Sequence, residues 1–178
     1  LASISGGDFE VAQLKFQLRD CVSAALVELR MQAQQQHCVL RVAVGPEVPS
    51  CLVGDPGRLR QVVRTLVGNA LSRSQRDEIR LSFRAELERD RAVLLHGSVA
   101  RIDGFTIAGL KRRQRDSGPV SWRGDASTGL ELAISRKLVA QMGGRTWVEG
   151  TPDGGSLLHF TVRCELAGSM PERTPLAT

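Results

Sequence analysis

The chain has no tyrosine, and aromatic residues make up 4% of its 178 positions, so it has few side chains on which bases of a single-stranded nucleic acid would stack. Lysine is almost as scarce. Lys15, Lys111 and Lys137 are the full set, and the net charge of +5 therefore rests on arginine. The densest basic stretch, Lys111, Arg112, Arg113 and Arg115, has no aromatic interleaved, and a solvated loop explains it without a nucleic-acid partner. No apolar run approaches the roughly 20 residues that cross a bilayer, and no basic segment followed by a hydrophobic one opens the chain, so this fragment is expected outside the membrane. Cys21, Cys38, Cys51 and Cys164 show neither CxxC spacing nor a histidine pattern suited to a metal. A chain of this length buries most of its surface without staples, and reduced, mostly buried thiols are expected. The hydrophobic share of 42% and charged share of 24% suit one globular domain over residues 1–166. Residues 167–178, with two prolines and small polar groups, are expected as a flexible tail.

What is present is strong periodicity. Val22, Ala25, Leu26, Leu29 and Ala33 recur at intervals of three and four, which predicts an amphipathic helix over 18–36. Cys38, Leu40, Val42 and Val44 then alternate with their neighbours as a strand does. Asp55 followed by Pro56 marks a helix start, because the carboxylate accepts from free backbone N–H groups and proline is harmless at the first helical position. The stripe Leu59, Val62, Val63, Leu66, Val67 and Ala70 continues from it. Ile79 to Leu87 and Ala92 to Ile102 read as a hairpin around Glu88 to Arg91, whereas residues 111–128 lack periodicity and read as a long mobile loop. A third helix is predicted over Leu130 to Met142, with Leu130, Ala133, Ile134 and Leu138 inward and Gly143 and Gly144 capping it. Thr146 to Gly150 and Leu157 to Leu166 form a last hairpin around 151–155. The expected fold class is α/β, a two-layer sandwich in which a mixed, mostly antiparallel sheet is covered on one face by three helices.

Two places invite chemistry. Thr65 and Asn69 lie one turn apart beside the buried stripe of the second helix, so the amide either bonds a backbone neighbour or faces a ligand pocket. Ser127, Thr128, Gly129 and Leu130 enter the third helix, whose free N–H groups and positive dipole end suit a phosphate. Glu131, expected in the first turn, would oppose one: at about 5 Å and an effective dielectric near 20 the repulsion is on the order of 3 kcal/mol.

Together these pieces resemble the catalytic, ATP-binding domain of sensor histidine kinases, especially hybrid-type ones, in the superfamily that includes gyrase, Hsp90 and the mismatch-repair ATPases. The likeness is carried by three stretches. The first is Val48, Pro49 and Gly54 to Val62, continuing through Leu66, Val67, Gly68, Asn69, Ala70 and Leu71. The second is Thr128, Gly129, Leu130 and Leu132 to Arg136, closed by Met142, Gly143 and Gly144. The third is Trp147, Val148 and Glu149 with Gly154, Gly155, Ser156 and Phe160.

The resemblance implies the Bergerat fold with ATP and Mg2+ as cofactors, the magnesium being held by Asn69. It places Thr65, Ser72, Arg73, Asp103, Gly104, Thr128, Gly129 and Leu130 around the nucleotide. The pattern is damaged, however. Thr65 stands for a second asparagine, Ser72 and Arg73 for a lysine and an aromatic, and Ser127 and Glu131 for glycines of the second glycine box. In the first glycine box, either Asp103 and Gly104 take the adenine-reading positions, with Thr106 in place of a glycine, or Arg101 replaces the aspartate. The phenylalanine-containing box before the lid is not found in residues 109–126. The implied function is a signal-transducing kinase domain with weak or absent nucleotide binding. The alternatives are an active kinase, whose arginine-rich segment closes over the phosphates, and a non-catalytic interaction module. His37, His96 and His159 lack the helical setting of a phosphoacceptor. The partners implied are therefore the dimerisation and phosphoacceptor helices of the same parent chain, and a receiver domain or another sensor kinase. A cytoplasmic location follows, with an inner-membrane anchor open to the parent protein.

Overall fold

A computed structural model describes residues 10–72, 74, 76–102, 126–150 and 156–168. Among the described residues the order is β1 (Leu14–Gln17), α1 (Leu18–Gln35), β2 (Val39–Val44), β3 (Cys51–Gly54), α2 (Pro56–Ser72), β4 (Glu78–Leu87), β5 (Ala92–Ile102), α3 (Ala126–Gln141), β6 (Thr146–Gly150) and β7 (Ser156–Leu166). The strands form a sheet ordered β1-β3-β7-β5-β4-β2, with β6 also paired to β7. The β2–β4 pair is parallel and the others are antiparallel. The sandwich expected from the periodicities is therefore present, with two short strands added. At four residues each, β1 and β3 are too short for alternation to reveal them.

The core lies between the sheet and the helices. Ile79, Leu81 and Phe83 of β4 meet Val93, Leu95 and Val99 of β5 and Leu158, Phe160 and Val162 of β7, all buried. Phe83 and Phe160 pack edge to face at 6.1 Å. The α1 stripe from Val22 to Ala33 and the α2 stripe from Leu59 to Ala70 are buried as predicted.

Two junctions explain why α2 and α3 sit where they do. Asp55 Oδ1 accepts from the Arg58 N–H at 3.0 Å, Oδ2 accepts from Ala12 N–H at 3.1 Å, and the Arg58 guanidinium lies 3.3 Å from Oδ2. One carboxylate thus caps α2 and ties it to the segment leading into β1. Asp55→Ala is expected to lower unfolding free energy by about 2 kcal/mol, the upper range for a lost N-cap, with Asp55→Asn losing less. Urea denaturation measures both. At the other junction, α3 ends with the Gly144 N–H donating to Val139 O and the Gly143 N–H to Ala140 O, both at 3.0 Å, and Gly143 takes a left-handed φ of 70°. This is the predicted glycine cap.

The interior of α3 departs from expectation in two ways. The helix starts at Ala126, four residues before the expected start at Leu130. In addition, Leu130 (64% exposed) and Ile134 (43%) face outward, as does Ala133. Ser135, Val139 and Met142 form the buried row, with Leu132 and Leu138 partly buried beside it. Apolar residues surround this helix, so its periodicity allowed two stripes and only the packing against α2 selects one.

The cysteines are free among the described residues, and Cys21, Cys38 and Cys164 are buried. Burial pushes the Cys21 thiol up to about 11, against a smaller lowering by Arg60, and the Cys164 thiol up to about 12, with Cys21 adding to the rise. Neither carries appreciable thiolate at neutral pH.

Candidate functional site

The site expected from sequence depends on whether Asn69 of α2 and the start of α3 share a level in the fold. Arg58, in the first turn of α2, donates from Nη1 to Gln141 Oε1 at 2.8 Å, and Gln141 is the last residue of α3. Because the start of α2 meets the end of α3 and the two helices pack together, they run antiparallel. From Arg58 to Asn69 is eleven residues and from Gln141 back to Gly129 is twelve, or about 16 Å and 18 Å of helix rise. Asn69 therefore comes level with the first turn of α3.

The amide of Asn69 is 5% exposed, and its Nδ2 has no hydrogen-bond partner among the described residues. A buried donor left unpaired costs about 1–3 kcal/mol, so the fold gains nothing from this side chain as it stands. Ser135 Oγ on the facing helix is buried and unpaired in the same way. The sequence alone missed it; the only signal was a polar residue inside the stripe that faces α2. Thr65, one turn before Asn69, is half-buried.

The other expected residues divide. The Ser72 hydroxyl donates to Asn69 O at 2.9 Å, and Ser74 donates to Ala70 O at 2.6 Å, so both satisfy the last carbonyls of α2. Thr128 and Gly129 lie in the first turn of α3 and Leu130 follows, exposed. Since α3 begins at Ala126, the N–H groups without a helical acceptor are those of residues 126–129. Glu131 belongs to the second turn, its backbone five residues or about 7.5 Å along the axis from the helix start, not in the first turn as expected. Arg73, Asp103 and Gly104, and with them most of the first glycine box, lie outside the described residues, as does most of the 111–128 segment.

The mixed sheet of seven strands with three helices among the described residues matches the fold of histidine kinase catalytic domains. The chain belongs to the family of histidine kinase-, DNA gyrase B- and HSP90-like ATPases, whose profile matches residues 54–166. It is 30% identical over 159 residues to the sensor histidine kinase GacS of Pseudomonas protegens, covering 87% of this chain and 17% of that protein. It thus spans about a sixth of that relative's length. Among solved structures it is similar to the catalytic domain of histidine kinase ThkA, at a TM-score of 0.59 and 20% identity, over 84% of this chain and 95% of that one. It is also similar to full-length ShkA in complex with AMPPNP, at a TM-score of 0.65 and 22% identity, over 92% of this chain and 33% of that one. The chain is thus a histidine kinase ATPase domain of the two-component sensor kinase type.

Proposed function

We propose that this domain takes a magnesium-bound ATP where the C-terminal half of α2 meets the start of α3, and that its affinity is weak or lost. The observation that supports the place is the antiparallel α2–α3 pair, which brings a buried, unpaired amide level with a helix N-terminus. Asn69 would give one metal ligand by turning its amide so that Oδ1 faces the ion, and the free N–H groups of residues 126–129 would take phosphate oxygens. No group of three or more His, Cys, Asp or Glu among the described residues is arranged to hold a metal. The remaining ligands would be phosphate and water oxygens, as magnesium prefers. Magnesium would supply neutralisation of charge on the phosphates. Thr65, Thr128, Gly129 and Leu130 would line the phosphate end, and Arg73, Asp103 and Gly104 would complete the nucleotide contacts.

Weakness is supported by what the sequence substitutes around that place. Glu131 puts a carboxylate where the resemblance has a glycine, two residues after Gly129, and a negative charge near a phosphate opposes its binding. Ser72 spends its hydroxyl on the helix end. Isothermal titration with AMPPNP and magnesium is expected to give a Kd above about 100 μM, or no heat, against which −8 kcal/mol of binding, a micromolar Kd, would end the claim of weakness.

The parent protein would act in the cytoplasm, its dimerisation and phosphoacceptor helices docking on this domain and a receiver domain or second sensor kinase following. Leu130 and Ile134, exposed one turn apart on α3, favour a further reading in which the domain serves only as an interaction module. That reading expects partner binding to survive Asn69→Ala.

A further inference from the structure

The sheet face turned away from the helices holds a cluster that a nucleotide site does not use. His96 on β5 and His159 on β7 are diagonal neighbours there, and Trp147 on β6 is paired with His159. His96 Nε2 lies 2.9 Å from His159 Nδ1. The indole of Trp147 stacks on both imidazoles, at 5.0 Å from His159 and 5.3 Å from His96. His159 is 7% exposed, low for a histidine on the sheet face turned away from the helices.

The surrounding charges are specific. From β6, Glu149 accepts from Trp147 Nε1 at 3.0 Å and sets its other oxygen 3.4 Å from His159 Nε2, outside hydrogen-bonding geometry, since that nitrogen has no bonded partner. Arg145, entering β6, lies 4.8 Å from the Trp147 ring centre. From β4, Arg84 is paired directly with His96. Diagonal to His96 on the same face stand Glu86 of β4 and Arg163 of β7, both paired with Leu94, while its β5 neighbours Leu94 and Ser98 carry no charge. Glu149 and His96 address opposite nitrogens of His159, so the three do not chelate one metal ion.

A hydrogen bond between two imidazoles requires one of the two facing nitrogens to lack a proton. We propose that His96 and His159 form an acid-operated latch: when both facing nitrogens are protonated the bond is lost, the stack on Trp147 opens, and β6 is loosened from β7. Among the described strands β6 pairs only with β7, over five residues, and it follows the glycine cap of α3, so the latch lies on the path from the sheet to that helix. His96 is held below its ordinary 6.5 by burial first, then by His159 and Arg84, with Glu149 opposing. A histidine that ionises less readily folded than unfolded gives stability that is complete above 6.5 and is lost as pH falls through the lower folded value.

The test follows Trp147 emission from neutral to acid pH in the full chain carrying Trp122→Phe, with far-UV circular dichroism alongside. A transition centred below pH 6.5 with the helical dichroism retained is expected. In His96→Gln it should vanish. Glu149→Gln should move the midpoint to lower pH and Arg84→Gln to higher pH, a pair of opposite displacements that a purely structural cluster does not produce. Emission that stays flat until global unfolding, a transition that persists in His96→Gln, or displacement in one direction by both charge variants overturns the latch. If His96→Gln does not fold, the two charge variants still decide it.

Discussion

Gly144→Ala is expected to leave the chain unfolded or to destabilise it by more than about 4 kcal/mol, the range in which only a broken structural requirement falls. A methyl group at this position would sit inside the van der Waals radius of the Thr161 carbonyl oxygen and close to the Val162 nitrogen. Those atoms belong to the backbone of β7, which is bonded to β5 over Ala92 to Ala100 and cannot withdraw without breaking that ladder. Gly144 also closes α3 through its N–H bond to Val139 O. Circular dichroism and urea denaturation of the variant, beside a Gly150→Ala control whose added methyl meets nothing within 4 Å, measure the effect.

The second large effect runs the other way. Asn69→Leu is expected to raise unfolding free energy by about 1–3 kcal/mol, because leucine has the same branched heavy-atom frame and removes an unpaired buried donor. That corresponds to a Tm increase of about 2–4 °C per kcal/mol for a chain of this size. The same variant should lose whatever response to nucleotide the native chain retains. A residue that lowers stability where it stands and is required only when a ligand arrives gives this divergence, whereas an amide bonded into the core gives parallel losses. A fall of 1 kcal/mol or more in Asn69→Leu would assign the side chain a structural role.

The sequence carried the parts of this fold whose period runs long enough to count. The α2 stripe spans twelve residues from Leu59 to Ala70, and the β4–β5 hairpin pairs from Glu78↔Ile102 to Leu87↔Val93, so each announces its face several times over. α3 was harder because Leu130, Ile134, Val139 and Met142 do not belong to one stripe. Its start was hidden by Ser127, Thr128 and Gly129, weak helix formers that read as loop. Asn69 was visible as a polar residue beside a buried stripe, but its lack of a partner was not, since partners come from tertiary packing. The bond that sets the level of the site, Arg58 to Gln141, joins residues 83 apart and leaves no local trace. Likewise, the His96, His159 and Trp147 cluster exists only through the registers of three strands. Ser135, unpaired opposite α2, is hidden because the apolar spacing of Leu130, Ala133, Ile134 and Leu138 points to the other face of α3.

Asn69 is the sole asparagine of the chain, so selective 15N-asparagine labelling yields one side-chain amide pair in a heteronuclear NMR spectrum. Titration with magnesium and AMPPNP to millimolar concentrations is the direct test of the place assigned to the ligand. Progressive displacement of that single amide pair is expected, with the backbone signals of residues 126–129 moving in a parallel titration of uniformly labelled protein, and no displacement when magnesium is added alone. An amide pair that stays fixed while signals elsewhere in the domain move on nucleotide addition would contradict it.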